Sequence, residues 1–316
     1  MKHMQRPFTL AALMLLVPLW ACGGGGATPS SSGGGTSSSS SSSSSSLAGL
    51  PSADPPGAVK IAYGVASQQF GDLRLPSATT FGAGPFPVAV VVHGGCWTSG
   101  VATKVSSAQL ADALTRRGIA TWNIEYRAIG DPGGGYPGTF HDWGAATDYV
   151  RTLATSYPLD LAHVVIVGHS AGGHAALWLA ARARIPAGKD LYTANPLPIV
   201  GTVDLDGPGE LRPTLGYSGM CGDAADRLLG GTPSAVPDRF EQASPSELLP
   251  LGVPQYIVSA TFIPLTVANR YRDRAVAKGD HVMITDQSSS GHFEMITPGT
   301  PEEAQVETVV LAAVRP

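Results

Sequence analysis

The sequence of 316 residues is poor in charged side chains and carries little net charge. Only 14% of its residues are Asp, Glu, Lys or Arg, and the formal net charge is −4. Its basic residues form no stripe along the chain, so the electrostatic attraction that drives nucleic-acid binding is missing. It also has no CxxC pair and no cluster of histidines, which are the usual signs of a metal site. We therefore expect neither a nucleic-acid partner nor a metal ion.

Cysteine is rare, and its three positions are Cys22, Cys96 and Cys221. Cys22 ends the apolar run LAALMLLVPLWAC, which follows a basic start at Lys2 and Arg6. The run is too short to span a bilayer comfortably, which favours an export signal over a transmembrane helix. The letters LWAC resemble the bacterial lipobox, and this resemblance implies cleavage before Cys22 and lipidation of its thiol. The alternatives are an ordinary cleaved signal or a short membrane anchor.

The segment after Cys22 has no large apolar side chains. Its Gly/Ser-rich sequence cannot offset its own ordering entropy and is typical of a flexible tether. We interpret 1–21 as a lipoprotein signal peptide, 22–55 as the tether and 56–316 as one folded domain. Cys22 is followed by Gly23 and not by an aspartate. This resembles the pattern of Gram-negative lipoproteins that are sent to the outer membrane. We therefore expect an exported, lipid-anchored protein of the bacterial envelope, facing the periplasm or the surface.

Strand and helix patterns alternate beyond the tether. The continuous apolar runs PVAVVVHGG and AHVVIVG are typical of strands that are buried on both faces. Amphipathic segments such as SSAQLADALTRRG follow such strands as helices. This alternation predicts the α/β class, with a mostly parallel central sheet and helices on both faces. A Gly- and Pro-rich insert at about 207–249 interrupts the pattern, and we expect it to form a small cap.

A single serine lies at one predicted strand-to-helix junction. The letters GHSAG, with Ser170 at their centre, fit the G-x-S-x-G motif, in which the serine occupies a strained turn above the sheet. The amide of Ala171 would then lie at a helix N-terminus, where it can stabilise an oxyanion. The simpler interpretation is that Ser170 only caps the helix. The strand before it and the helix after it favour a nucleophile.

A second glycine-rich turn follows an earlier predicted strand, in the letters HGGCW that begin at His93. Two glycines let backbone amides turn inward, so we expect oxyanion donors at Gly95 and Cys96. We expect His93 to orient this loop and not to act as a base. Cys96 could itself be a nucleophile, but nothing in the sequence marks a base that would activate it. An exported protein could join Cys96 to Cys221 by a disulfide, but the sequence leaves that question open.

Together these motifs resemble the α/β-hydrolase superfamily, and most closely the lipase/esterase and kynurenine-formamidase-like branch with an HGGxW oxyanion loop. The resemblance covers nearly all of 56–316. It implies an α/β-hydrolase fold, a serine nucleophile and a late histidine as base, with no cofactor. The letters GHF place that base at His292, after the last predicted strand. Asp142 matches an acidic position of this branch, for which we expect a structural role.

The usual acid of the catalytic triad is missing. Relatives place it after the strand that corresponds to VPQYIVSAT, yet no acidic residue lies between Glu247 and Asp273. The acid could come from the preceding strand, which ends with Asp204 and Asp206, two residues apart and so on one face. We predict Asp206 as the acid that orients His292. Its alternative is a turn-forming role in the Asp-Gly pair.

Two weaker choices for the acid are Glu210 and Asp286. The protein could also work with a Ser–His pair, or it could have lost activity. We expect a serine hydrolase that cleaves small or medium carboxylic esters. The alternatives are an arylformamidase-like amide hydrolase and a non-catalytic envelope protein that binds through a hydrolase fold.

Overall fold

The computed structural model of the protein describes residues 55, 57–212 and 221–315. The chain divides into the units Met1–Ser45 and Ser46–Pro316, and every described residue belongs to the second. The predicted signal peptide, Cys22 and nearly all of the tether therefore lie outside the described residues. In the part of the chain that the structure describes, no helix combines the length and apolarity needed to cross a membrane.

The described residues form one sheet of eight strands. In chain order these are β1 (Val59–Ala62), β2 (Phe70–Arg74), β3 (Phe86–Val92), β4 (Ala120–Ile124), β5 (Leu159–His169), β6 (Gly201–Leu205), β7 (Gln255–Ser259) and β8 (Val282–Asp286). Their order across the sheet is β1-β2-β4-β3-β5-β6-β7-β8. β2 is antiparallel to β1 and β4, and all the other neighbours are parallel. The predicted mostly parallel sheet is confirmed.

Helices cover both faces of this sheet. They are α1 (Ala78–Phe81), α2 (Ala108–Arg116), α3 (Gly138–Asp148), α4 (Val150–Leu153), α5 (Ala171–Ala181), α6 (Ala224–Leu229), α7 (Pro237–Ala243), α8 (Leu265–Ala277) and α9 (Pro301–Val314). In β3, Val88 and Val90 join the core cluster that includes α3 and α5, whereas Ala89 and Val91 join the one that includes α2 and α9. Successive side chains of a strand point to opposite faces, so a strand buried on both must be apolar throughout.

Two segments differ from the sequence-based expectation. The pattern of TFHDWGAATDYVRTLATSY predicts one helix, but the structure divides this segment at Tyr149 into α3 and α4. The Gly- and Pro-rich composition of the insert predicts an irregular segment, yet it contains α6 and α7. Its Pro and Gly residues mark the ends of these helices and do not prevent them. Pro237 is the first residue of α7, and Gly230 ends α6 with a left-handed backbone of φ 73°.

A disulfide joins the insert to the loop that follows β3. Cys96 and Cys221 are bonded with their Cα atoms 5.5 Å apart, across a sequence separation of 125. Both cysteines are half-buried and pack against the larger core cluster. The bridge therefore fixes the insert, at Cys221, to the loop at the carboxyl end of β3, although nothing in the sequence decided whether the two thiols would meet.

We predict that removing this disulfide lowers stability. A bridge that closes so long a loop restricts the unfolded chain and typically contributes about 2–4 kcal/mol to the free energy of unfolding. Chemical denaturation should show a loss of this size for the double variant Cys96→Ser with Cys221→Ser. Dithiothreitol should lower the stability of the natural protein but not that of the double variant. Equal unfolding curves for the two proteins under oxidising conditions would contradict the prediction.

Candidate active site

Ser170 occupies a strained corner between β5 and α5. Its backbone has φ 57°, in the left-handed region that residues with a side chain rarely adopt. A Cβ added to Gly168 would lie 1.8 Å from the Gly172 carbonyl oxygen, and one added to Gly172 would lie 2.1 Å from the Val92 carbonyl oxygen. Both positions therefore require glycine. The Ser170 amide donates to the Leu205 carbonyl at 2.8 Å, which holds the corner against β6.

The HGGCW loop lies directly beside this serine. Gly95, Cys96 and Trp97 have φ values of 107°, 51° and 55°, so three consecutive residues take the left-handed region. A Cβ added to Gly94 would lie 3.0 Å from the Ser170 Cβ. The backbone of the loop thus approaches the serine as closely as sterics allow. The three predicted oxyanion donors, Gly95, Cys96 and Ala171, lie on this loop and at the first residue of α5.

His93 restrains the HGGCW loop through both nitrogens of its ring. One ring nitrogen contacts the Gly94 carbonyl oxygen at 2.7 Å, and the other contacts Glu125 Oε1 at 2.8 Å. Burial by itself raises the pKa of Glu125, but the charge and hydrogen bond of His93, with two backbone amides, bring it below its ordinary value. The Tyr126 hydroxyl donates to the His93 carbonyl at 3.0 Å. These contacts agree with the expectation that His93 orients the loop.

The structure brings His292 and Asp206 together. His292 Nδ1 lies 2.7 Å from Asp206 Oδ2, and both side chains are buried. Asp206 follows the last residue of β6 and has a left-handed backbone with φ 56°. This turn places Asp206 just beyond β6, so the expectation that the strand ends with Asp206 is wrong by one residue. Asp204 instead accepts a hydrogen bond from the Gly207 amide at 2.8 Å.

Three backbone amides from the loop after β7 surround the Asp206 carboxylate. Ala260 and Ile263 donate to Oδ1 at 2.9 and 2.7 Å, and Phe262 donates to Oδ2 at 2.9 Å. Burial raises the pKa of Asp206, but the hydrogen bond and charge of His292 and these amides outweigh burial and lower it. Asp206 is therefore an anion. The loop that lacks the expected acid binds one from the neighbouring strand.

The other acidic candidates lie in different surroundings. Burial raises the pKa of Asp204 well above its ordinary value, which favours the neutral form of this side chain. Glu210 accepts hydrogen bonds from Ser244 and Ser246 in the insert. Asp286 is exposed at the end of β8 and accepts from the Ser288 amide at 2.9 Å. Among the described acids we weighed, Asp206 is the one bonded to His292.

Ser170 and His292 belong to one rim of the sheet. The residue before the serine, His169, has its Nε2 2.8 Å from the His292 carbonyl oxygen. A Cβ added to Gly207, next to Asp206, would lie 2.4 Å from the Ser170 carbonyl oxygen. The predicted nucleophile, base and acid therefore follow β5, β8 and β6 at their carboxyl ends, where parallel sheets place their sites. Their catalytic roles stay predictions.

Asp142 has the structural role that we expected. Its carboxylate accepts two bonds from the Arg127 side chain, at 2.8 and 2.6 Å, and one from the Arg127 amide at 3.0 Å. Gln69 donates to the same group at 2.7 Å. This ion pair braces the loop between β4 and α3. Across 57–212 and 221–315, no three His, Cys, Asp or Glu side chains come close enough to hold a metal ion.

Sequence reasoning missed two parts of the site. The amides of Ala260, Phe262 and Ile263 have no residue-type signature, since any residue except proline carries one. His169 was passed over because it fills a variable position of G-x-S-x-G. The signal in the sequence was a histidine directly beside Ser170, but a motif does not say what a variable side chain contacts.

Comparison with solved structures supports the fold. A truncated carbohydrate esterase from gut microbiota matches with 18% identity and a TM-score of 0.68, covering 84% of this chain and 100% of that one. Esterase B from Lactobacillus rhamnosis matches with 18% identity, 82% and 86% coverage and a TM-score of 0.64. Esterase 2 from Thermogutta terrifontis, phosphonylated by sarin, matches with 17% identity and a TM-score of 0.65, covering 83% of this chain and 97% of that one. At such identities the likeness shows the fold alone.

Family comparison goes further than the structural likeness. No curated protein matches the sequence. The profile of the BD-FAE family matches residues 72–262, which is more than half of the chain. The matched span contains Ser170, the HGGCW loop and Asp206 but ends before His292. The predicted α/β-hydrolase superfamily is confirmed, and the chain belongs to the BD-FAE family of α/β-hydrolase esterases.

Proposed function

We propose that this protein is a serine hydrolase that cleaves small or medium carboxylic esters through an acyl-enzyme. The observation that carries the proposal is the hydrogen bond of 2.7 Å between His292 and Asp206 at the rim that holds Ser170. An ionised carboxylate only accepts hydrogen bonds, so Nδ1 of His292 must donate to it. The proton then sits on Nδ1, and Nε2 is left with a lone pair for the serine hydroxyl.

The first chemical step is attack by Ser170 Oγ on the ester carbonyl carbon. His292 accepts the hydroxyl proton through Nε2 and returns it to the departing alcohol. The negative charge that develops on the carbonyl oxygen meets the amides of Gly95, Cys96 and Ala171. One such donor contributes about 3 kcal/mol to the stability of the transition state. The anion of Asp206 stabilises the imidazolium that forms at His292 during this step.

Water completes the cycle by attacking the acyl-enzyme. His292 removes a proton from that water, and Ser170 leaves with a proton returned by the same ring. Apart from the ester and water, this sequence of steps uses groups of the protein alone. The names of the structural neighbours, a carbohydrate esterase and two esterases, support esters as the substrate class. The phosphonylation of one neighbour by sarin supports a nucleophile that organophosphorus reagents reach.

The non-catalytic alternative rested on the missing acid. In the structure an ionised carboxylate contacts His292 from the neighbouring strand, so the absence of an acid in 248–272 no longer favours loss of activity. An arylformamidase-like reaction uses the same three side chains. A comparison of ester turnover with formamide turnover distinguishes these two enzymatic functions.

We also propose that the protein is exported and attached to the membrane by a lipid on Cys22, with the Gly/Ser-rich segment as a tether. The Cys96–Cys221 disulfide supports this location, because such bridges persist in oxidising compartments. The partners are then a small ester substrate and the membrane that holds the anchor.

Replacement of the nucleophile should abolish turnover. We expect a fluorophosphonate probe to label the natural protein and to leave Ser170→Ala unlabelled. Hydrolysis of a p-nitrophenyl ester and of an N-formyl arylamine, measured side by side, should show the ester as the better substrate. Unlabelled, well-folded natural protein would support the binding alternative. Preferential turnover of the formamide would instead support the amidase.

Replacement of the proposed acid should cost about 1,000- to 10,000-fold in kcat for Asp206→Asn, because the amide favours the wrong tautomer of His292. Asp204→Asn is the matched control. Asp204 is equally buried, and its burial favours the neutral carboxyl, so a neutral amide there should keep kcat near the natural value. Thermal unfolding of both variants separates catalysis from stability. Near-natural kcat in a folded Asp206→Asn protein would refute the assignment of the acid.

Replacement of the lipidation site should release the protein from the membrane. We expect the natural protein in the membrane fraction of an expressing bacterium and Cys22→Ser in the soluble exported fraction. The hydrolase domain is unchanged by this substitution, so ester turnover per molecule should stay the same. Membrane attachment that persists in Cys22→Ser would support an uncleaved anchor.

A further inference from the structure

His169 links the proposed nucleophile to the proposed base. It is the last residue of β5, directly before Ser170, and its Nε2 lies 2.8 Å from the main-chain carbonyl oxygen of His292. The two imidazole rings pack against each other with centroids 4.4 Å apart. Ser170 is thus linked to the backbone of His292 through its peptide bond to His169 and the hydrogen bond from the His169 ring. On the basis of the proposed function, we infer that His169 is a positioning residue that holds His292 over Ser170.

The tautomer of His169 follows from its partner. A carbonyl oxygen only accepts hydrogen bonds, so Nε2 must carry the hydrogen. Burial, with the nearby charge of His292, lowers the pKa of His169 to about 3. The ring is therefore neutral throughout the pH range in which a serine hydrolase works. It offers a constant donor to His292 and adds no positive charge beside the imidazolium that forms during catalysis.

Asp206 holds the ring of His292 but not its main chain, whose segment is otherwise bonded at Gln287 and Ser290. The carboxylate holds the His292 ring through Nδ1, and Phe262 packs on that ring at 4.8 Å between centroids. The backbone of 287–293, by contrast, crosses from β8 to the short helical turn Glu294–Ile296 through three serines and a glycine. The bond from His169 holds this segment at the catalytic residue itself. Asp206 sets the orientation of the ring, and His169 sets its position.

Two other roles for His169 fit the geometry less well. A second general base would need a basic ring nitrogen, but the low pKa makes the ring of His169 a weak base, and its Nε2 already donates to a carbonyl. A simple core filler would need no polar atom at all. His174 is the buried histidine to compare with His169. It is also fully buried and has its Nε2 2.8 Å from a carbonyl, that of Ala243, which belongs to no proposed catalytic residue.

The test compares two substitutions of His169 with a matched control. Gln reaches the same carbonyl with its side-chain amide, so His169→Gln keeps the donor, whereas His169→Met keeps the volume and loses the donor. We expect kcat for a p-nitrophenyl ester to fall about 10- to 100-fold in His169→Met, with KM little changed, and to recover largely in His169→Gln. His174→Met loses an equivalent bond and should lower the melting temperature while kcat stays within about threefold of natural.

A second measurement does not depend on turnover. The proton shared by His292 Nδ1 and Asp206 should give a low-field NMR resonance in the natural protein and in His169→Gln. It should be broadened or lost in His169→Met. Natural protein without a fluorophosphonate label would refute the proposed function, and the NMR comparison would still test the positioning role.

Three results would overturn the inference. One is a kcat for His169→Met that stays near natural, together with an intact resonance. Another is equal loss of kcat in His169→Met and His169→Gln, which would show that the donor is irrelevant. The third is an equal loss of kcat in His174→Met, which would show that any buried hydrogen bond of this kind matters as much.

Discussion

The carboxylate of Asp206 is the group on which the geometry of the site depends. It lies after β6, accepts three amides from the loop after β7 and binds the ring of His292, which follows β8. One buried anion thereby joins the ends of three neighbouring strands. A buried carboxylate without such partners would take up a proton, because desolvation opposes its charge. The amides keep Asp206 ionised, and an ionised Asp206 keeps the proton of His292 on Nδ1.

Backbone strain is concentrated at the same place. Within 57–212 and 221–315, the residues other than glycine that have a positive φ are Cys96, Trp97, Ser170 and Asp206. Each such residue costs about 1–3 kcal/mol and persists only where its surroundings hold it. Three restraints act here: the glycines beside Ser170, the disulfide at Cys96 and the amides around Asp206. A rigid parallel sheet supplies the support for this strain, since its strands are buried on both faces.

The disulfide gives the insert a direct connection to the chemistry. Cys221 begins the described part of the insert that follows the gap at 213–220, and Cys96 contributes one of the proposed oxyanion amides. The insert is therefore joined to the loop beside Ser170 by a covalent bond. This coupling relates the element expected to cap the site to the residues that would stabilise the transition state. It also makes an oxidising compartment favourable for the proposed active form.

Local signatures in the amino-acid sequence predict the fold class, the serine corner, the glycine-rich loop and the late histidine. Apolar runs predict buried strands, and GHSAG requires a bend that only small residues allow. The partner of His292, the disulfide and the bond from His169 were decided by the tertiary structure. Asp206 was one of several acids in the sequence, and its role depended on backbone amides that no residue type reveals. Contacts between residues 86, 123 or 125 positions apart exist only after the sheet has brought the strand ends together.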